Sequence, residues 1–235
     1  MRRLFFATLV LLSVGIVSPA RAELPPAPAE LDDFADVVMA YRPPADVERA
    51  ARRAEQAIAA IPDAAARDLH KAKRLFLLGF DAIGRGAKEN GEAYLEEAIE
   101  VAEASLDVLE TSEGYRILAD SYNQLLKVRG RGYQILNFRT AREKADKAVE
   151  LDRTNPFAHV SAAGYYLSAP RIAGGDVRRG LDHVEAAARL GSEDRHVVFL
   201  VAMWAAYGTV QTGSRESARR SLQHAAEIYP DNWWL

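Results

Sequence analysis

The sequence predicts an all-α protein built from about five helix pairs, and three observations carry this prediction. Alanine-rich segments with helical spacing recur along the chain, strand-like alternation is nearly absent, and small or apolar residues recur in triads. Within each triad the residues are four and then three positions apart, so they share one helix face on which a neighbouring helix can approach closely. The triads are Ala50, Ala54, Ala57; Gly91, Leu95, Ala98; Ala141, Ala145, Ala148; Gly180, Val184, Ala187; and Ala218, Leu222, Ala225.

A second helix with the same spacing precedes each triad, which predicts five units at approximately 31–64, 72–105, 112–155, 156–194 and 199–232. Pro62, Pro156 and Pro230 follow the second helices of units one, three and five, where proline ends a helix. The first helices are marked by Phe34, Val38, Tyr41; Leu75, Gly79, Ala82; Tyr115, Ala119, Tyr122; His159, Ala163, Tyr166; and Ala202, Ala206, Thr209.

These paired patterns resemble the tetratricopeptide repeat, a helix–turn–helix unit, of the kind found in exported bacterial proteins. The resemblance covers residues 31 to 232. It implies a right-handed superhelical solenoid with a concave groove lined mainly by the first helices. The sequence departs from the repeat in unit five, where Ala202 and Thr209 replace the usual aromatic residues, and in unit two, which lacks its proline.

The N-terminus has the order of a secretory signal peptide. Arg2 and Arg3 precede an apolar run over residues 4–17, and small residues at Ala20 and Ala22 then offer a cleavage site. We therefore expect a signal peptide over residues 1–22, a linker over 23–30 and the solenoid over 31–235. The apolar run is shorter than the roughly 20 residues that span a bilayer. These features predict export, to a bacterial periplasm, without stable membrane insertion after cleavage.

Composition narrows the classes of partner and chemistry. The chain has no cysteine, so neither a disulfide nor a lipid-modified cysteine is possible. Removing Arg2, Arg3 and Arg21 leaves 27 basic and 33 acidic residues, a formal charge of −6. An acidic protein is a poor ligand for nucleic acid, so we expect no nucleic-acid partner.

No cluster of residues with catalytic or metal-ligand spacing is evident. The five histidines form no HExxH pair, and the paired carboxylates fall on predicted solvated faces. The sequence therefore predicts no enzyme, no metal and no cofactor.

Two insertions leave alternatives open. The segment 169–176 contains a Gly-Gly pair that could present amides to an anion, but Asp176 stands where a helix N-cap belongs and favours a structural turn. The segment 127–139 is either a basic, aromatic patch for an acidic partner or a lengthened helix pair. The acidic charge of the chain favours the helix pair.

Continuing the helical spacing around the first helices predicts the residues of the groove. They form an apolar trough crossed by one polar band. Arg116 and Asn123 could bind a partner's carboxylate and backbone, although Asp120 can instead pair with Arg116 one turn away. Packing of the solenoid core is the alternative role for the apolar members. The predicted groove residues are Phe76, Phe80, Ile83, Arg116, Asp120, Asn123, Val160, Gly164, Leu167, Met203 and Tyr207.

Two functions fit such a groove. The first is an exported, non-catalytic scaffold or adaptor that binds an extended segment or helix of a protein partner. The alternative is an accessory protein of a transport system that encloses an apolar small molecule or lipid. The architecture is similar to that of TatT-type transporter accessory proteins, but those are lipoproteins and this chain has no cysteine.

Overall fold

The protein is described by a computed structural model that covers residues 24–191 and 193–235. Within these ranges there are ten α-helices, one 3-10 turn at Arg171–Ala173 and no strand. The predicted signal peptide lies outside the described residues. The helices are α1 (Ala29–Met39), α2 (Pro44–Ala59), α3 (Ala64–Gly84), α4 (Lys88–Val108), α5 (Ser112–Val128), α6 (Arg131–Leu151), α7 (Pro156–Ser168), α8 (Val177–Leu190), α9 (Arg195–Gln211) and α10 (Arg215–Ile228).

Consecutive helices pack as five antiparallel pairs, as in tetratricopeptide-like repeats. Each odd-numbered helix packs on the even-numbered helix that follows it and also contacts the next odd-numbered helix. The helices α1, α3, α5, α7 and α9 therefore form an inner layer, and their partners form an outer layer. This arrangement confirms the predicted all-α fold with about five units.

Side-chain caps set where the inner helices begin. Asp63, Thr111 and Asn155 accept hydrogen bonds from the first free backbone N–H groups of α3, α5 and α7. Asp194 does the same for α9. The cap at Asp63 starts α3 eight residues before the predicted 72, and the cap at Asp194 starts α9 four residues before 199.

The predicted boundaries need three further corrections. Helix α1 begins at Ala29, inside the predicted linker. Tyr41 lies beyond the end of α1, in the turn before α2, with φ of 50° rather than a helical value. The middle residue of the fifth triad also differs, because Leu222 is exposed to solvent while Ala218 and Ala225 are buried.

The residues of the other triads are buried, as predicted for contacts between helices, except Ala57, which is only half-buried. Ala141, Ala145 and Ala148 are fully buried on α6. Gly79 and Gly91 allow α3 and α4 to touch, since a Cβ atom added to either glycine would lie 3.1 Å from the other's carbonyl oxygen. Close backbone approach is thus the physical reason for small residues at these positions.

The helix array closes on itself, which the sequence does not predict. Tyr229 donates a hydrogen bond of 2.6 Å from its hydroxyl to Asp36 Oδ1 on α1, and Asn232 Nδ2 donates one of 2.7 Å to the carbonyl oxygen of Met39. One buried apolar cluster includes residues of α1, α2 and α3 together with α9, α10 and Tyr229. The segment 229–235, which we call the C-terminal clasp, therefore joins the last unit to the first.

Trp233 completes the clasp by packing against α3. Its ring centroid lies 5.3 Å from that of Phe80, and a Cβ atom on Gly84 would stand 2.3 Å from its indole nitrogen. Only glycine at position 84 leaves room for this indole. The groove predicted from the repeat is consequently not an open trough but the interior of a ring.

Candidate functional site

The interior of the ring holds a cavity of about 120 Å³, which we call the central cavity. All five inner helices contribute to its lining, and the C-terminal clasp adds Trp234. The residues that build it therefore come from both ends of the chain. Closure of the array is what brings them together.

One wall of the central cavity is aromatic. Phe76 and Phe80 come from α3, Trp204 from α9 and Trp234 from the clasp. The two indoles meet edge to face with ring centroids 5.0 Å apart, and Trp234 meets Phe80 in the same way at 6.3 Å. Gly164 of α7 makes room for this wall, since a Cβ atom there would lie 2.9 Å from the Trp204 ring.

The α5 part of the lining carries an ion cluster around the buried Arg116. Arg116 donates two hydrogen bonds to Glu113, at 2.7 and 2.6 Å, and a third of 2.6 Å to Asp120. Burial by itself would raise the pKa of Glu113, but attraction to Arg116 and the paired hydrogen bonds outweigh it and lower that pKa to about 2. Burial raises the pKa of Asp120, and attraction to Arg116 only partly offsets it. The donors of Arg116 are thus engaged within the protein.

Farther along α5, three polar side chains line the central cavity, and their N–H groups have no hydrogen-bond acceptor among the described residues. Lys127 has no carboxylate within ion-pair distance among the described residues, and its ammonium lies 5.5 Å from the Trp204 ring centroid and 5.4 Å from that of Trp234. Asn123 and Gln124 are largely buried, and their side-chain amides make no hydrogen bond within the described parts of the chain. These three residues are the donor cluster of the cavity.

Of the eleven predicted groove residues, seven line the central cavity and four lie elsewhere. Those that line the central cavity are Phe76, Phe80, Arg116, Asp120, Asn123, Val160 and Gly164. Those that lie elsewhere are Ile83, Leu167, Met203 and Tyr207. The predicted pairing of Arg116 with Asp120 is present, so Arg116 does not reach into the cavity as a free anchor.

Contacts with outer helices and neighbouring units explain the four exceptions. Ile83 packs on Gly91 of α4, and Leu167 packs on Gly180 of α8. Met203 is buried in the cluster that joins the two ends of the chain, whereas Tyr207 is 48% exposed. On α9 the cavity-facing stripe is one position out of register with the prediction, and it consists of His196, Leu200 and Trp204.

Sequence reasoning missed several lining residues for identifiable reasons. Glu113 and Lys127 extend the predicted α5 stripe by one turn in each direction, so the helical period could have found them. Trp234 lies beyond the last repeat, where the repeat pattern carries no information. The pair of tryptophans at 233–234, shortly after the final helix, is the signal that could have drawn attention to it.

Neither insertion forms an open loop that faces the cavity. Helix α6 begins at Arg131, so most of 127–139 is the lengthened helix pair. Arg129 is paired with Glu92 and Glu96 of α4, at 2.9 and 2.6 Å, which uses its charge internally. In the second insertion, Asp176 caps α8 by accepting a hydrogen bond from the backbone of Arg179, as expected of an N-cap.

A second cavity of about 530 Å³ adjoins the first and shares Lys73, Glu113 and Phe157 with it. Residues 24–27 form part of its lining, and the carbonyl oxygen of Pro25 lies 3.1 Å from Nε2 of His70. The expected linker therefore packs against α3. No group of acidic or histidine side chains suited to a metal ion occurs in the described ranges, and no helix there is long and apolar enough to cross a bilayer.

Comparisons with known proteins give little beyond this geometry. No model of a protein family matches the sequence, and no curated protein matches it significantly. Among solved structures, the chain named "MamA AMB-1 C2221" is similar over 86% of this chain and 99% of that chain, with 17% sequence identity and a TM-score of 0.36. A likeness at this level carries no argument about function.

Proposed function

We propose that this chain is a non-catalytic binding protein that holds a small, largely apolar ligand in its central cavity. The observation that supports the proposal is the central cavity itself, which has an aromatic wall and is lined by all five inner helices and the clasp. Ligand sites in proteins are concave and mostly apolar, with a few polar groups that fix orientation. The central cavity combines these properties, because the α5 donor cluster faces the aromatic wall.

An extended peptide is the other occupant that the sequence suggests, and the closed ring disfavours it. A peptide that crossed the groove would have to displace Trp234 or separate Tyr229 from Asp36. A small ligand requires neither change. Of the two functions considered from the sequence, the accessory protein that encloses a small molecule is therefore the better fit to the geometry.

We also propose that the chain is exported to a bacterial periplasm and acts there after cleavage between Ala22 and Glu23. The support is the order of basic, apolar and small residues at the N-terminus. A periplasmic protein that binds a small ligand is a suitable partner for a transport system. Denaturing mass spectrometry of protein purified from its own host should give the mass of a chain that begins at Glu23, and a full-length chain in the membrane fraction would contradict export.

Native mass spectrometry of the same preparation tests the ligand. We expect a fraction of the protein to carry an additional mass in the range of a metabolite, lost when the protein is denatured. The variant Gly164→Leu, whose side chain would displace the Trp204 ring from its place in the cavity wall, should be isolated without that mass. Retention of a peptide-sized mass would support the adaptor function instead, and retention of any small mass by Gly164→Leu would place the ligand outside the central cavity.

A further inference from the structure

The donor cluster of the central cavity has more hydrogen-bonding capacity than the protein itself uses. The Arg116 guanidinium is occupied by Glu113 and Asp120, but the Lys127 ammonium and the Asn123 and Gln124 amides have no acceptor among the described residues. Asn123 and Gln124 are largely buried as residues, while Lys127 keeps accessible surface, and all three line the cavity. Three donors within two turns of α5 are therefore available to one acceptor group in this part of the cavity.

We infer that the central cavity binds a monocarboxylate whose body is about one aromatic ring or a short alkyl chain. The carboxylate lies against Lys127, Asn123 and Gln124, and the body lies against Phe80, Trp204 and Trp234. This inference rests on the proposed function and adds the chemical class of the ligand. It assigns the donor cluster as the anchor and the aromatic wall as the apolar contact.

The charges of the cavity set the charge of the ligand. Three cationic side chains, Lys73, Arg116 and Lys127, line it together with two carboxylates, Glu113 and Asp120. Lys73 also pairs with Asp32, at 3.4 Å. Glu113 and Asp120 share Arg116, so these six charges sum to zero, and Lys127 is the one cation of the three that has no carboxylate within ion-pair distance among the described residues. A single negative charge can pair with Lys127, whereas a phosphate dianion would bring a second negative charge near the two carboxylates of α5 without a second free cation.

The volume of the central cavity limits the size of the apolar part of the ligand. An engineered apolar cavity of about 150 Å³ accommodates benzene, and the central cavity measures about 120 Å³. Lys127 keeps accessible surface where it lines the cavity, so the carboxylate of a ligand can reach its ammonium. A body of one ring fits, and a long acyl chain does not fit within the central cavity alone.

Titration with phenylacetate tests the inference, because it combines one ring with one carboxylate. Phenylacetamide has nearly the same shape without the charge, and phenyl phosphate carries a second charge. Binding can be followed by tryptophan fluorescence, since two of the three tryptophans of the chain line the cavity. We expect phenylacetate to bind about tenfold or more tightly than phenylacetamide, the size of one charged hydrogen bond, and more tightly than phenyl phosphate.

The variant Lys127→Met removes the charge and keeps the length of the side chain. It should weaken phenylacetate binding by about tenfold or more and leave phenylacetamide binding unchanged. Lys127→Arg should retain most of the affinity for phenylacetate. The matched control is Lys88→Met, an exposed lysine on α4 that does not line the cavity, which should bind like the wild type.

The dependence on pH gives a second readout of Lys127. Desolvation by the surrounding helices lowers the pKa of Lys127 to about 8, and attraction to Asp120 opposes this only in part. The ammonium is present below that pKa and lost above it, so affinity for phenylacetate should be constant near neutral pH and fall as the pH rises above 8. Affinity for phenylacetamide should not change. The other ionisable groups that line the cavity are Lys73 on α3, Glu113, Arg116 and Asp120 on α5, and His196 on α9, whose pKa is lowered by burial.

The outcomes separate the inference from the proposed function. If phenylacetate and phenylacetamide bind equally well, to both the wild type and Lys127→Met, the cavity binds apolar ligands but the carboxylate class is wrong. If phenyl phosphate binds most tightly, the single-charge assignment is wrong. If no probe binds and protein from its host retains no small mass, the proposed function fails with it.

Discussion

Replacing Arg116 by methionine should lower the free energy of unfolding by about 3–5 kcal/mol, the cost of breaking a buried ion pair by removing one partner. Arg116 is 5% exposed, and its loss would leave the partly buried carboxylates of Glu113 and Asp120 without a cation. In a domain of this size the midpoint of thermal unfolding should fall on the order of 10 °C. Thermal and urea unfolding, followed by circular dichroism, measure both quantities.

A compensated variant is the control for this prediction. The single variant leaves two carboxylates without a cation, and a triple variant that combines Arg116→Met with Glu113→Gln and Asp120→Asn removes both of these charges. The triple variant should therefore recover most of the lost stability. A single variant that unfolds within about 1 kcal/mol of the wild type would show that the cluster is solvated rather than buried. A triple variant no more stable than the single one would show that Arg116 contributes mainly through its packing.

Replacing Tyr229 by alanine should cost about 3–5 kcal/mol, as for other buried aromatic side chains. Tyr229 is 1% exposed, packs edge to face on Phe199 with ring centroids 5.3 Å apart and donates its hydroxyl hydrogen bond to Asp36. The change should also weaken ligand binding, because it loosens the clasp that carries Trp234. Unfolding and phenylacetate titration of the same variant measure the two effects.

Two variants separate packing from hydrogen bonding at this position. Tyr229→Phe keeps the ring and loses only the bond to the Asp36 carboxylate, so it should cost about 1.5–3 kcal/mol. Tyr207→Ala removes a half-exposed tyrosine of α9 that lies outside the cavity, and we expect it to cost about 1 kcal/mol or less. If Tyr229→Ala were as mild as Tyr207→Ala, the clasp would not hold the two ends of the chain together.

The repeat architecture could be predicted from the sequence because it depends on local periodicity. Small residues at four-then-three spacing mark helix contacts between neighbours in the chain, as Gly79 and Gly91 do. Such contacts connect residues close in sequence, so the pattern that encodes them is visible without the fold. The starts of α3 and α9 were missed by eight and four residues, although Asp63 and Asp194 are of a residue type preferred at helix N-caps.

The candidate site could be predicted only in part, because its assembly depends on a contact between the two ends of the chain. The stripe of Arg116, Asp120 and Asn123 on α5 follows from helical spacing, and its extension to Lys127 follows in the same way. The approach of Tyr229 to Asp36, 193 residues apart, has no local signature. The position of Trp234 in the cavity wall depends on that contact, as does the conversion of a groove into an enclosed cavity.

The closure of the ring by the clasp is the central claim, and intramolecular photocrosslinking tests it most directly. With p-benzoylphenylalanine in place of Trp233, irradiation of dilute protein should give cross-links within one chain to the end of α3, between Phe80 and Gly84. The same residue in place of Ile172, whose side chain is fully exposed, should give no such product. Peptide mapping by mass spectrometry locates the links. Cross-links from position 233 that reach only α9 and α10 would show an open array, and would contradict both the enclosed cavity and the function proposed for it.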